Sequence, residues 1–227
     1  MIKNGKYDFR ADVIGIIYPV YDWGLPKLVR TFLEKVTIKA SYIFVIATYG
    51  DKVGNSLYEV EKVLRKKGIE TDYYEGILMV DNYLPLFDIN SQIEKYPQKR
   101  VEENLNRIIQ EVKNKQRRAP RKSLIWSGVT NTMKIIQPLI TNNIPKWIYK
   151  INDDCVSCGI CSKVCPTNNV MVLDKQKPKF GRECESCFAC VHNCPQNAIH
   201  LSIERSGARF RNENILLKEI IDSNNQL

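Results

Sequence analysis

The chain has 227 residues, of which 44% are hydrophobic and 26% charged, a composition typical of folded proteins rather than disordered ones. Its longest apolar run, residues 42–47, is far shorter than the ~18 residues of a membrane-spanning helix. The first residues lead into charge rather than into an apolar secretion signal. We therefore expect a cytoplasmic protein without a membrane segment.

The net charge of +9 is distributed unevenly along the chain. Residues 151–227 contain 9 Lys or Arg and 9 Asp or Glu, so the remaining 25 basic and 16 acidic residues give 1–150 the whole excess. All eight cysteines lie in the neutral part, between Cys155 and Cys194. This separation predicts two domains, with metal or redox chemistry confined to the second.

Three apolar segments in the first part of the chain predict strands. The segment 12–20 is nearly continuous, as in a parallel strand that is buried on both faces. The second segment covers 42–48, and the third lies within 69–80.

Helical patterns separate and follow these strands. Pro26 opens the first helix, and Asn55 or Ser56 caps the second. Apolar residues spaced for one buried face predict a third, long helix near 97–117. Three β–α units in series predict a parallel α/β sheet.

A run of positive charge ends the third helix. It consists of Lys113, Lys115, Arg117, Arg118, Arg121 and Lys122. Such a run is typical of a solvated helix end and also suits docking of an acidic redox partner. No aromatic residues alternate with these charges, and no nucleic-acid-binding motif is recognised. We therefore expect redox partner proteins rather than nucleic acid or a membrane.

Residues 123–150 are predicted to form a helical linker that packs between the two domains. The apolar residues of this segment are Trp126, Met133, Ile136 and Trp147. Pro138 and Pro145 interrupt the pattern, and we find no chemistry in it.

Two cysteine runs share the spacing C-x2-C-x2-C-x3-C-P, with an offset of 29 residues from Cys155 to Cys184. They consist of Cys155, Cys158, Cys161 and Cys165, and of Cys184, Cys187, Cys190 and Cys194. This is the bacterial ferredoxin spacing, in which three thiolates bind one [4Fe–4S] cluster and the fourth binds the other cluster. We therefore assign Cys194 to the cluster of the first three cysteines, and Cys165 to the cluster of Cys184, Cys187 and Cys190.

Two other uses of eight cysteines fit the pattern less well. A cytoplasmic chain keeps its thiols reduced, which argues against a disulfide framework. Structural zinc takes four ligands, usually as two separated pairs, and gives no reason for a triple x2 spacing that occurs twice.

Residues near the cysteines have predicted roles of their own. Apolar segments at 170–173 and 198–201 predict short strands related by a pseudo-two-fold axis. Because the cysteines fill every ligand position, we expect His192 and His200 to lie on the surface. Phe188, between two ligands, is expected to shield a cluster from water and so to lower its potential.

Two loops resemble a known family. Residues 12–26, ending in Tyr21-Asp22-Trp23-Gly24-Leu25-Pro26, are similar to the third strand and second flavin loop of flavodoxin-like domains. Residues 48–55, Thr-Tyr-Gly-Asp-Lys-Val-Gly-Asn, are similar to their third flavin loop. With the cysteine runs and the segment 209–214, the chain resembles bacterial flavodoxin–ferredoxin fusion proteins.

The resemblance implies a fold class and a domain order. An α/β flavodoxin-like domain with three β–α units would cover 1–122, and the linker 123–150 would follow it. A small α+β ferredoxin domain with two [4Fe–4S] clusters would cover 151–204, and a tail would cover 205–227.

The resemblance also implies an FMN site. Its residues would be Tyr18, Tyr21, Trp23, Gly24, Thr48, Tyr49, Gly50 and Asn55. The strand, hydroxyl-rich phosphate loop, helix and second strand that begin a flavodoxin-like domain do not occur in this sequence. Because the sheet order is 2-1-3-4-5, their loss would open one edge of the strand at 12–20 and remove the phosphate anchor of FMN. We expect either a shortened gene product or a partner chain that supplies the missing strands.

Three functions follow as hypotheses. The leading one is an electron-transfer protein whose two [4Fe–4S] clusters relay single electrons at low potential. The second is a flavin-dependent oxidoreductase that passes electrons between FMN and the clusters, and the third is a non-redox binding module with structural clusters. No hydrolytic or other substrate-handling set of residues is evident, so we expect an electron carrier rather than a stand-alone enzyme.

Overall fold

The computed structural model of the chain describes residues 5–123, 126 and 148–224. The chain forms two compact units. The first consists of Met1–Asp81 and Glu94–Lys134, and the second of Asn82–Ile93 and Ile135–Leu227. The domain boundaries proposed from the sequence stay predictions, and Met133, Ile136 and Trp147 of the predicted linker lie outside the described residues.

The strands of the first unit pair in parallel. In chain order they are β1 (Asp8–Arg10), β2 (Val13–Pro19), β3 (Thr37–Lys39), β4 (Tyr42–Tyr49) and β5 (Tyr73–Leu78). The strands β2, β4 and β5 form one sheet in the order β2-β4-β5, with Val13 opposite Tyr42 and Phe44 opposite Tyr73. The strands β1 and β3 form a second, two-stranded sheet. The prediction of a mixed α/β fold with a parallel sheet is confirmed.

Helices cover both faces of the β2-β4-β5 sheet. These helices are α1 (Lys27–Lys35), α2 (Ser56–Arg65) and α4 (Val101–Lys113). The helix α3 (Ile89–Glu94) comes between α2 and α4 in the chain, but its residues 89–93 belong to the second unit. On one face, Leu33 of α1 and Leu64 of α2 are fully buried in a core with Val45 of β4. On the other face, Ile108 of α4 packs with Ile46 of β4. Successive residues of a strand point to opposite faces, so Val45 and Ile46 separate the two cores.

The third predicted helix, at 97–117, is interrupted and shorter. A 3₁₀ helix at Pro97–Lys99 precedes α4, and Arg100 between them has a left-handed backbone with φ 48°. The buried Lys99 explains the break, because its Nζ donates hydrogen bonds to the carbonyl oxygens of Gly50, at 3.1 Å, and of Met79, at 2.6 Å. These bonds hold the chain at the carboxyl ends of β4 and β5 before α4 begins.

The strand β2 forms one edge of its sheet. Within the described residues it pairs with β4 alone. The side chains of Val13 and Ile17 are 44% and 67% exposed, on the face opposite the buried Ile16 and Tyr18. The apolar sequence predicts a strand that is buried on both faces. In the structure only one face is buried.

The second unit is built from short elements. In chain order they are β6 (Tyr149–Ile151), α5 (Ile160–Lys163), β7 (Val170–Met171), β8 (Lys179–Phe180), α6 (Ala189–His192), β9 (Ile199–Leu201) and α7 (Leu217–Asn224). The strands β6 and β9 pair antiparallel, and so do β7 and β8. Leu84 and Ile89, from the 82–93 segment, are fully buried in the core of this unit.

The backbone of the second unit repeats with the 29-residue offset of the cysteine runs. Ser157 and Ser186 both have φ 54°, and Asn168 and Asn197 have φ 55° and 48°. A third pair of equivalent residues with a left-handed backbone is Gly159 and Phe188. The helix α5 begins directly after Gly159, and α6 begins directly after Phe188. The sequence repeat therefore corresponds to two copies of one loop–helix fold.

Candidate metal centre

The cysteines of the second unit form two groups of four. Site 1 consists of Cys155, Cys158, Cys161 and Cys194, which line one cavity. Site 2 consists of Cys165, Cys184, Cys187 and Cys190, which line another cavity. The fourth cysteine of each run therefore lies with the first three cysteines of the other run.

The short helices produce this exchange. The helix α5 carries Cys161 and ends at Lys163, so Cys165 lies beyond its C-terminus and enters site 2. The helix α6 carries Cys190 and ends at His192, and Cys194 correspondingly enters site 1. A proline follows each exchanged cysteine, where a helix could not continue.

The two sites differ in their exposure. In site 1, Cys158 is exposed, and the cavity is lined in part by the exposed Val156. In site 2, Cys165 and Cys190 are buried, and three aromatic rings contribute to the lining. These rings are those of Tyr149, Phe180 and Phe188. Site 2 is the more enclosed of the two.

Several sulfur atoms accept hydrogen bonds from the backbone. The N–H of Asn169 donates to Sγ of Cys165, and the N–H of Ala198 donates to Sγ of Cys194, each at 3.2 Å. These two bonds occupy equivalent places in the repeat. Such donors stabilise negative charge on sulfur, as a thiolate ligand requires.

The charge balance of the sites calls for a cation. Burial, with the neighbouring thiols adding to it, raises the pKa of Cys161 to about 11 and the pKa of Cys187 to about 12. Burial also raises the pKa of Cys190 well above its usual range. Eight thiolates held this closely need a positive partner such as iron, which deprotonates the thiols that bind it. The donor set therefore fits an iron–sulfur group.

The distances between the cysteine side chains also bear on whether a site would hold a single metal ion or a cluster. In the described ranges, no three His, Cys, Asp or Glu side chains converge closely enough to hold one metal ion. A [4Fe–4S] cube, by contrast, binds each of its four thiolates on a separate iron.

A family model of 4Fe-4S dicluster domains matches residues 147–195. The match covers both cysteine runs and so the cysteines of both cavities. Neither the curated proteins nor the solved structures gave a match to the chain. The second unit therefore contains a ferredoxin-like cluster domain, which supports 4Fe–4S cluster binding and implies iron–sulfur electron transfer. The flavodoxin-like part of the resemblance stays a prediction.

The prediction that His192 lies on the surface is wrong. In the ferredoxin-like domain this residue is only 3% exposed, and burial lowers its pKa. The N–H of Phe210 donates to its Nδ1 at 3.2 Å, so Nε2 carries the proton and donates to the carbonyl oxygen of Asn82 at 2.9 Å. His192 thus connects α6 to two segments that are distant from it in sequence, one at Asn82 and one at Phe210. His200 is half-buried, with its Nδ1 2.8 Å from Oε1 of Glu204.

Phe188 lies where a shield over a cluster would be placed. Its side chain is 3% exposed and lines the site 2 cavity. The ring of Tyr83 packs against it, with the two centroids 5.4 Å apart. The effect of Phe188 on a potential stays a prediction.

The predicted FMN residues lie in the first unit, and two of them have their polar atoms engaged there. The hydroxyl of the buried Tyr18 lies 3.0 Å from Oγ of Ser56. The side-chain Nδ2 of Asn55 donates a hydrogen bond to the carbonyl oxygen of Ser123, at 3.0 Å. The backbone N–H of Ser123 donates in return to Oδ1 of Asn55, also at 3.0 Å. These contacts stabilise the start of α2 and the chain segment beside it.

The other FMN candidates lie in two loops at the carboxyl ends of β2 and β4. Tyr21 and Gly24 pair through their backbones in a tight turn, and the ring of Trp23 lies 6.1 Å from that of Trp126. The N–H of Val20 donates to the carbonyl oxygen of Thr48 at 2.8 Å, so the two loops start side by side.

In the second of these loops, the predicted residues pack against the strand β5 and the chain after it. The ring of Tyr49 lies against Gly76, where a Cβ would be 2.9 Å from Cε1 of the tyrosine. A Cβ at Gly50 would lie 2.5 Å from Asp81. These contacts account for Tyr49 and Gly50 as packing residues, and the FMN site stays a prediction.

Gly54 brings the two loops together, and we expect Gly54→Ala to separate them. Its φ is +58°, and a Cβ there would lie 2.3 Å from the carbonyl oxygen of Trp23, a backbone atom that cannot easily move. Gly68→Ala is the matched control, because Gly68 has φ +71° but no atom within 4 Å of the position that a Cβ would take. Urea unfolding should show a loss of about 1–2 kcal/mol for the control and about 1–3 kcal/mol more for Gly54→Ala. Equal losses would contradict the close approach of the loops.

The positive run after α4 is partly neutralised within the first unit. Nη2 of Arg117 lies 3.4 Å from Oδ1 of Asp72, and Nη2 of Arg118 lies 3.0 Å from Oε1 of Glu111. Lys122 places its Nζ 5.4 Å from the centroid of a tyrosine ring. Fewer of these charges are available to a partner than the sequence alone suggests.

The helices of the described residues are short or amphipathic. None of them combines the length and the apolar character needed to span a bilayer.

Proposed function

We propose that this protein is an electron-transfer protein that carries two [4Fe–4S] clusters, one at site 1 and one at site 2. The observation that carries the proposal is the crosswise grouping of the eight cysteines into two sets of four, each lining its own cavity. Each set has the number and type of ligands that one cluster takes. When bound, a [4Fe–4S] cluster accepts and releases one electron at a time.

The proximity of the two sites supports transfer between them. Cys161 belongs to site 1 and Cys165 to site 2, although only four positions separate them. Cys161 is also close enough to Cys190 of site 2 to help raise the pKa of that thiol. The exposed Cys158 places site 1 at the surface of this unit, where a redox partner protein would exchange electrons.

Iron and sulfide analysis after anaerobic reconstitution tests the proposal. We expect about eight irons and about eight inorganic sulfides per chain, since each cluster contains four of each. The reduced protein should show the EPR spectrum of two interacting paramagnetic centres. About four irons per chain, or zinc in place of iron, would contradict the two-cluster proposal.

We also propose that the first unit is a partial flavodoxin-like domain. Its parallel order β2-β4-β5, with helices on both faces, corresponds to three consecutive strands on one side of the 2-1-3-4-5 sheet. The adjacent loops after β2 and β4 occupy the carboxyl edge, where open α/β sheets bind ligands. This placement favours, as a second function, an oxidoreductase that passes electrons between FMN and the clusters.

Flavin binding can be measured separately from cluster content. Titration of the reconstituted protein into FMN should quench flavin fluorescence if Trp23 and Tyr49 contact the ring system. Unchanged fluorescence at high protein concentration would remove the flavin-dependent function and leave the electron carrier. Salt-sensitive DNA binding by the same preparation would instead support a binding module with structural clusters.

A further inference from the structure

Two side chains of the second unit reach a cysteine sulfur of site 2 through a hydroxyl group. Oγ1 of Thr167 lies 3.6 Å from Sγ of Cys165, and the shorter contact is that of Tyr149 with Cys184. Tyr149 lies on β6, and its phenol oxygen is 3.1 Å from Sγ of Cys184 in site 2. Its ring stacks on that of Phe180, with the centroids 4.1 Å apart and the planes 4° from parallel. The pairing of Tyr149 with Leu201 on β9 holds the backbone, and the residue is 8% exposed. The hydroxyl is therefore held in one place.

The direction of this hydrogen bond follows from the chemistry of the site. A cysteine that binds iron is a thiolate and has no proton to donate. The phenol of Tyr149 must then be the donor and the sulfur of Cys184 the acceptor. Because reduction adds negative charge to a cluster and its sulfurs, such a donor stabilises the reduced form more than the oxidised form.

Site 1 has a different residue at the equivalent place. The 29-residue offset relates Tyr149 to Pro178, and Pro178 lines the site 1 cavity. Proline has no hydroxyl and no N–H to donate. Among the described residues, no tyrosine lines the site 1 cavity, so this O–H donor distinguishes site 2 from site 1.

We propose that Tyr149 raises the reduction potential of the site 2 cluster through its O–H···S bond to Cys184, and so makes the two clusters unequal. The inference rests on the proposed two-cluster function. The bond opposes the enclosure of site 2 by Phe180 and Phe188, since an apolar surrounding disfavours the more negatively charged reduced form. Tyr149 therefore adjusts the potential of an otherwise enclosed cluster.

The test is Tyr149→Phe in the full chain, which removes only the hydroxyl. In an EPR-monitored redox titration, we expect one midpoint potential to become more negative and the other to stay unchanged. The loss of one hydrogen bond should change the equilibrium constant of reduction about fivefold, which corresponds to about 40 mV for one electron. Tyr83→Phe is the matched control, because Tyr83 packs on Phe188 but does not line the cavity.

A second variant separates hydrogen bonding from packing. Tyr149→3-fluorotyrosine, introduced at this position alone, keeps the ring and makes the hydroxyl a stronger donor. Its midpoint potential should shift in the opposite direction to that of Tyr149→Phe. Shifts of both variants in the same direction would overturn the proposal, because they would indicate a packing effect.

The remaining outcomes are also distinct. Tyr149→Phe with about eight irons and two unchanged midpoints, or with two midpoints that shift equally, would overturn the role of Tyr149 alone. A wild-type protein with about four irons would instead contradict the two-cluster function itself. In a Cys165→Ala background, which lacks a full ligand set at site 2, Tyr149→Phe should leave the remaining midpoint unchanged.

Discussion

Cys165→Ala is expected to remove the site 2 cluster and to leave the site 1 cluster in place. Cys165 belongs to the first cysteine run, but it lines the same cavity as Cys184, Cys187 and Cys190. The iron content of the reconstituted protein should therefore fall from about eight to about four per chain. Cys194→Ala should give the same iron content but retain the other cluster, with a different EPR spectrum and midpoint potential.

Double variants test whether the exchange of ligands is real. Adding Cys187→Ala to Cys165→Ala should cost no further iron, because both residues belong to site 2. Adding Cys158→Ala to Cys165→Ala should remove the remaining iron, because Cys158 belongs to site 1. The reverse result, in which Cys158→Ala costs nothing further and Cys187→Ala removes the rest, would show that each run binds its own cluster.

Removal of iron is expected to unfold the second unit while the first unit stays folded. Three of the buried residues in the described core of the second unit are Cys161, Cys165 and Cys190, whose side chains also line the two cavities. Iron binding in such a unit supplies folding free energy that its small core does not. The first unit has two cores of its own, one on each face of its sheet.

Hydrogen exchange measured by mass spectrometry distinguishes the two units. After oxidative removal of iron with a chelator, amides of β6, α5, α6 and β9 should lose most of their protection. Amides of β4, which pairs with strands on both sides, should keep theirs. Reconstitution should restore the lost protection. Unchanged protection at 148–201 in iron-free protein would show that this unit folds without its clusters.

The sequence predicts the elements whose signals are local. The strand β4 is a continuous apolar run, and α1 and α2 begin directly after Pro26 and Asn55, residue types that favour helix N-termini. Neither residue makes a side-chain capping hydrogen bond. The apolar segments at 170–173 and 198–201 likewise predict the short strands β7 and β9. These predictions need no knowledge of distant contacts.

Other elements depend on contacts that the sequence does not reveal. The strands β1 and β3 have three residues each, and only Phe9 and Ile38 are apolar among them, so no alternating pattern marks them. The break before α4 depends on Lys99, which bonds to carbonyl oxygens 49 and 20 positions earlier. A lysine in a helical pattern gives no sign of such partners.

The burial of His192 could not be predicted from the sequence repeat. The 29-residue offset relates His192 to Lys163, which is exposed, so symmetry also favours a surface position. The second half of the repeat is covered, however, by residues 82 and 210, which bond to the imidazole. A lysine ammonium at the equivalent place could not accept a backbone N–H as the imidazole Nδ1 does. Departures from the repeat therefore mark where outside segments pack.

The crosswise grouping of the cysteines has a consequence for how the protein matures on the ribosome. Cysteines leave the ribosome in sequence order, so the ligand set of site 2 is complete once Cys190 has emerged. Site 1 contains the first three cysteines to appear, yet it waits for Cys194, the last of all eight. A delivery system that loads iron onto the growing chain would thus fill the enclosed site before the exposed one.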